Sequence, residues 1–200
     1  MDRKADRKEE SRARILASAG RGFRSRGYGA LGVDALAKEA GVTSGAFYAH
    51  FRSKAAAFTE AVAAGMQELR RGVEALRAAA GPGPWRERLI ALYLGERRTC
   101  DLAESCALQS LTGEVARADE DARAAYEAGL RQVIETAMEG SSGDGPEPGR
   151  AETIALFALL AGGVSMARAV RDPAFAEEIA EAVRQAALSL ARGGSVTPAA

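Results

Sequence analysis

Residues 33–54, VDALAKEAGVTSGAFYAHFRSK, constrain the fold more than any other stretch of the chain. Val33, Leu36, Ala37 and Ala40 recur at helical spacing, and Gly41 follows where a left-handed residue would end a helix and turn the chain. Val42 is placed to tuck under the turn, and Thr43 offers a side-chain oxygen to cap a second helix. On that helix Phe47 and Phe51 share an inward face, which leaves Ser44, Gly45, Ala46, Tyr48, Ala49 and His50 outside. A helix that only covers a core rarely presents an outer face this small and uncharged. One that enters a DNA major groove needs small residues for close approach and donors at its edges for phosphates. The pattern predicts a helix-turn-helix.

The formal net charge of zero argues at first against a nucleic-acid partner, but the distribution of that charge argues for one. Residues 1–54 hold 12 Lys/Arg and 6 Asp/Glu, a net of +6, and the remaining 15 basic and 21 acidic groups give the rest −6. A basic head on an acidic body fits a DNA-binding domain joined to a different module. Good helix formers dominate and β-branched runs are few, so an all-α chain is expected, of about nine helices. No apolar run is read as approaching the ~20 residues of a membrane span. The charged start, MDRKADRKEESRAR, lacks an apolar signal-peptide core. A cytoplasmic protein without membrane contact is the expectation.

The motif at residues 41–54, GVTSGAFYAHFRSK, resembles the recognition-helix signature of the TetR/AcrR family of bacterial transcriptional repressors, G-V-x-x-G-x-x-Y-x-H-F-x-x-K. The likeness continues upstream through GFRSRGYGAL and, more loosely, over the helical remainder. It implies that Thr43 and Ser44 meet phosphate or a base edge, that Gly45 permits close approach, and that Ala46 and Ala49 belong to the DNA face. Tyr48 and His50 resemble the family's phosphate-contacting pair, and Lys54 its phosphate-binding lysine. Surface packing of Tyr48, core satisfaction of His50 and a solvated helix start for Lys54 are the alternatives. The chain departs from the family just before the first of the two helices. Leu31-Gly32 stand where a capping Thr or Ser is usual, so no phosphate contact is carried over there, and Asp34 is left to complement the helix dipole.

In order along the chain, residues 1–10 read as a polar, frayed tail, with Arg3, Lys4, Arg7 and Lys8 either reaching phosphate or solvated. Helices are expected over 11–26, 53–80 with Ser53 as cap, 85–99, within 101–118 where Gly113 is a candidate break, 120–139, 150–171, and from Pro173 onward. GPGP at 81–84 and GSSGDGPEPG at 140–149 read as breaks. The expected division is a three-helix DNA-binding domain, 1–54, and a helical ligand-binding and dimerisation domain, 55–200. The resemblance implies a homodimer that binds a palindromic double-stranded operator and is released by a small-molecule effector. It gives the dimer interface to the last two helices, through Phe157, Ala161, Gly162, Gly163, Val164, Ala167, Phe175, Ile179, Val183 and Ala186, an internal core helix at 150–171 being the alternative. The helices that enclose the pocket in similar proteins carry Met66, Leu69, Trp85, Leu89, Tyr93, Cys106, Tyr126, Leu130, Phe157 and Met166, each also readable as plain core. That apolar and aromatic set favours a hydrophobic or aromatic effector.

No enzyme is expected. The chain lacks G-x-S-x-G and a glycine-rich phosphate loop after a strand, and its single histidine, His50, excludes a histidine pair or a multi-histidine metal site. No cofactor or metal is expected. Cys100 and Cys106, six residues apart, fit neither a disulfide framework nor a C-x-x-C metal site, and read as reduced thiols. A redox-sensing regulator using Cys100 or Cys106 is one alternative function, and a helical protein-interaction module without specific DNA binding is another.

Overall fold

The computed structural model describes residues 3–79, 84–139 and 149–192. Among them there is no strand. The helices are α1 (Arg3–Arg26), α2 (Val33–Glu39), α3 (Ser44–Tyr48), α4 (Lys54–Ala78), α5 (Trp85–Leu94), a one-turn α6 (Glu96–Thr99), α7 (Ala107–Val115), α8 (Glu120–Met138), α9 (Arg150–Ala169) and α10 (Pro173–Ala191), with a 3-10 turn at Leu102–Glu104. The all-α expectation holds, and nine of these helices exceed a single turn.

Several boundaries differ for local reasons. Helix α1 starts at Arg3, not near residue 11, because the polar tail RKADRKEE is rich in strong helix formers. Helix α5 stops at Leu94, before the expected residue 99. At Gly95 (φ −100°, ψ −101°) the chain leaves helical geometry, and a Cβ there would lie 2.8 Å from the Ala91 carbonyl oxygen. Gly113 does not split its segment, since α7 runs through it. The expected breaks at 81–84 and 140–149 lie, apart from Pro84 and Gly149, outside the described residues. Helix α9, contrary to the expectation that no run suffices, is long and apolar enough by composition to cross a membrane. Its apolar content is in part a packing face, with Leu156, Phe157, Leu160, Val164 and Ala167 buried in the protein itself.

Contacts divide the chain into two compact units, Met1–Met66 with Asp101–Gly129, and Gln67–Cys100 with Leu130–Ala200. Helices α4 and α8 contribute to both units. In the first unit Ile15, Phe23, Leu36, Phe47, Phe51 and Phe58 form one core with Ala107, Leu111, Val115 and Ala122. Arg24 Nε donates to the Ala103 carbonyl at 2.8 Å, joining α1 to the 3-10 turn. In the second unit α5, α9 and α10 pack on one another. Arg168 Nη2 donates to the carbonyls of Arg97 (2.7 Å) and Cys100 (2.8 Å), and Arg98 pairs with Glu177 of α10 at 2.7 Å.

Candidate nucleic-acid interface

Local chemistry builds the turn as the sequence suggests. Gly41 takes φ +68°, and the Val42 amide returns to the Ala37 carbonyl at 2.9 Å. Thr43 is the N-cap of α3, its Oγ1 accepting from the Ala46 amide at 3.1 Å, a contact of about 1 kcal/mol for a cap of this kind. Phe47 and Phe51 are buried with ring centroids 5.4 Å apart, which fixes the inner face of α3. Ser44 donates its hydroxyl to Asp34, tying α3 back to α2.

The outer face remains open. Thr43, Gly45, Tyr48 and Ala49 are exposed, and Ser44, Ala46 and His50 are half-buried. Tyr48 is 56 % exposed while its ring sits edge-on to Phe47 at 5.6 Å, so the ring is braced at its base and its outer part faces solvent. A Cβ on Gly45 would meet nothing nearer than Thr43 Oγ1 at 3.8 Å. Internal packing therefore does not require a glycine there. His50 turns towards a cleft of about 370 Å³ lined also by Phe51, Arg52, Ala56, Thr59, Glu60 and Asp121, and its Nδ1 is buried without a hydrogen-bond partner.

Lys54, expected as a phosphate-binding lysine, makes contacts within the head. Its Nζ donates to the carbonyls of Tyr28 and Leu31, each at 3.0 Å, and lies 4.0 Å from the centre of the Tyr28 ring. Arg12 and Arg26 are likewise engaged, with Glu60 and Glu39, and Arg12 also lies over the Phe51 ring at 5.1 Å. Sequence reading missed Arg12 because its partners are 39 and 48 positions away, beyond any periodic signal.

The residues expected to line a pocket fall in both units. Met66, Cys106 and Tyr126 belong to the first, and Leu69, Trp85, Leu89, Tyr93, Leu130, Phe157 and Met166 to the second. Met66, Leu69, Trp85, Leu89, Tyr93 and Phe157 are buried, and Cys106, Tyr126 and Leu130 half-buried. Met166, at 59 % exposure, points to the surface and not inward. Of the expected dimer residues, Phe157, Gly163, Val164 and Ala167 are buried within the chain, so they have little surface left for a partner. Ala161, Ile179 and Val183 are half-buried, while Gly162, Phe175 and Ala186 are exposed. Neither cysteine is in a disulfide and both are half-buried, and the Cys100 thiol lies 3.3 Å from Arg168 Nη2. Among the described residues no group of three or more His, Cys, Asp or Glu is arranged to hold a metal ion.

The helix-turn-helix and its core coincide with a known sequence family. Residues 15–61 match the model of bacterial regulatory proteins, tetR family. The N-terminal head is that of a TetR-family protein. Over 134 residues it is 32 % identical to the HTH-type transcriptional repressor NemR of Escherichia coli K12, a match covering 62 % of this chain and 64 % of that repressor. The crystal structure of reduced E. coli NemR superimposes with a TM-score of 0.69 at 25 % identity, over 88 % of this chain and 96 % of that one. A TetR-family transcriptional regulator from Streptomyces coelicolor shares the fold, with a TM-score of 0.69 at 23 % identity, over 92 % of this chain and 95 % of that one.

Proposed function

We propose that this protein is a homodimeric, sequence-specific DNA-binding transcriptional regulator of the TetR family, a repressor that a small hydrophobic or aromatic effector releases from a near-palindromic operator. The observation that carries the reading is the outer face of α3, small, uncharged and open at Thr43, Gly45, Tyr48 and Ala49 on a rigid helix-turn-helix. Ser44, Ala46 and His50 complete the DNA face. Base reading falls to the small residues, and phosphate contacts by Tyr48 and His50 set register. The basic head supports this, and the name of the E. coli relative supports repression over activation. As such a regulator the protein would work in the cytoplasm, and not as an enzyme.

One recognition helix reads only a half-site, so operator binding calls for two copies. The exposed apolar side chains of α9 and α10, Ile154, Met166 and Phe175, support a partner on those helices. An effector can weaken DNA binding only through its differential affinity for the two spacings of the paired heads.

Selection of bound duplexes from a random pool at near-physiological salt, with bulk competitor, tests the reading. A recovered palindrome with half-site centres about ten base pairs apart is the expected result. Salt-sensitive binding without sequence preference would overturn it.

A further inference from the structure

We infer that Lys54 is a positioning residue of the DNA head: it anchors the loop ahead of α2 in place of the capping side chain that α2 lacks. The inference rests on the DNA-binding reading for its functional consequence and on the head's own geometry for its mechanism.

Lys54 is the first residue of α4, where the helix dipole disfavours a cation, and no acidic residue in the first turn offsets it. The compensation is the pair of carbonyls, Tyr28 and Leu31, each 3.0 Å from Nζ, together with the face of the Tyr28 ring. An ammonium has three donors; two are spent on these carbonyls, and the charge lies against the ring. Tyr28 in turn packs on Phe58 and Phe23, with centroids 4.9 Å and 5.9 Å away, so the anchor stands on the core of the head.

The loop needs such an anchor. Gly32, the N-cap of α2, makes no side-chain hydrogen bond, and Asp34 accepts from Ser44 on α3. Leu31, whose carbonyl Lys54 holds, is the residue directly before that cap. Through it Lys54 fixes where α2 begins, and α2 carries α3 through the Ser44–Asp34 bond. A Lys54 that left both half-buried carbonyls for phosphate would leave two acceptors unpaired.

Gly32 also supplies the test. Its backbone (φ −83°, ψ 162°) is extended, and a Cβ there would meet nothing within 4 Å, so a capping Thr fits without strain. Lys54→Met and the double variant Lys54→Met/Gly32→Thr are compared with the unchanged chain by amide hydrogen exchange over residues 28–36, without DNA. Operator affinity is then measured across a salt series. Faster exchange in Lys54→Met, slowed again by Gly32→Thr, is expected, with operator affinity falling about tenfold and the slope of log K against log salt unchanged. A slope shallower by about 0.9 for each copy of Lys54 lost would make the lysine a phosphate ligand and overturn the inference, as would unaltered exchange. Lys54→Gln carries the same readouts should Lys54→Met not fold. Because exchange is read without DNA, failure of the anchor is distinguishable from failure of operator selection by the unchanged chain.

Discussion

At the scale of single residues, what was legible is what is local. Gly41 and Thr43 do what their types dictate, because a left-handed turn and an N-cap are decided within four residues. The carbonyl partners of Lys54 were not legible, because motif matching cannot see groups 23 and 26 positions away. Tyr126 is a similar case. Its hydroxyl lies 2.7 Å from Thr112 Oγ1, and burial pushes its phenol above the ordinary value of 10.0, with a smaller push from Cys106 and an opposing pull from the Thr112 bond. A group raised on folding contributes stability that is complete below its unfolded value and is lost as pH rises through its folded value. Denaturant unfolding at stepped pH should therefore show stability falling above about pH 10. Tyr126→Phe should flatten that part of the alkaline decline and remove a late-ionising phenol from the ultraviolet titration.

At the scale of helices, existence was readable and ends were less so. Helix α4 follows its expected course from the Ser53 cap, whose Oγ accepts from the Ala56 amide at 3.0 Å. Two glycines behaved oppositely for reasons outside the local pattern: α7 continues through Gly113, whereas the chain breaks at Gly95. A mid-helix glycine costs only about 1 kcal/mol relative to alanine, so surrounding packing decides. Gly163 illustrates what such a residue can be for. A Cβ there would come within 2.6 Å of Val183 Cγ2, so α9 and α10 approach through its bareness. Gly163→Ala should cost about 1–3 kcal/mol in urea unfolding, the range for overpacking. Val183→Ala in the same chain should recover part of that loss; an additive or larger loss would show that the two positions do not oppose each other.

At the scale of the whole molecule, which side of α9 is buried was the least legible feature. Its sequence, RAETIALFALLAGGVSMARA, is apolar nearly all round, so periodicity shows a helix without saying which side turns inward. The structure turns Phe157, Val164 and Ala167 to its own core and leaves Ile154 and Met166 outside, with Phe175 of α10 also exposed. Met166→Glu with Phe175→Glu should convert a dimer to a monomer in sedimentation velocity while preserving helical circular dichroism, because neither side chain supports the single chain's core. Retention of the dimer would move the interface elsewhere.

By itself the sequence determined the all-α class, the helix-turn-helix, its cap and turn, and the small outer face of α3. Each depends on residues within one or two turns of one another, where spacing is a direct proxy for geometry. Only the tertiary structure decided that the head's core takes in Ala107, Leu111, Val115 and Ala122, that Lys54 and Arg12 are spent within the head, and which side of α9 is buried. Those outcomes depend on which distant helices meet. An apolar or charged side chain will accept any suitable neighbour, and its identity alone does not say which neighbour arrives.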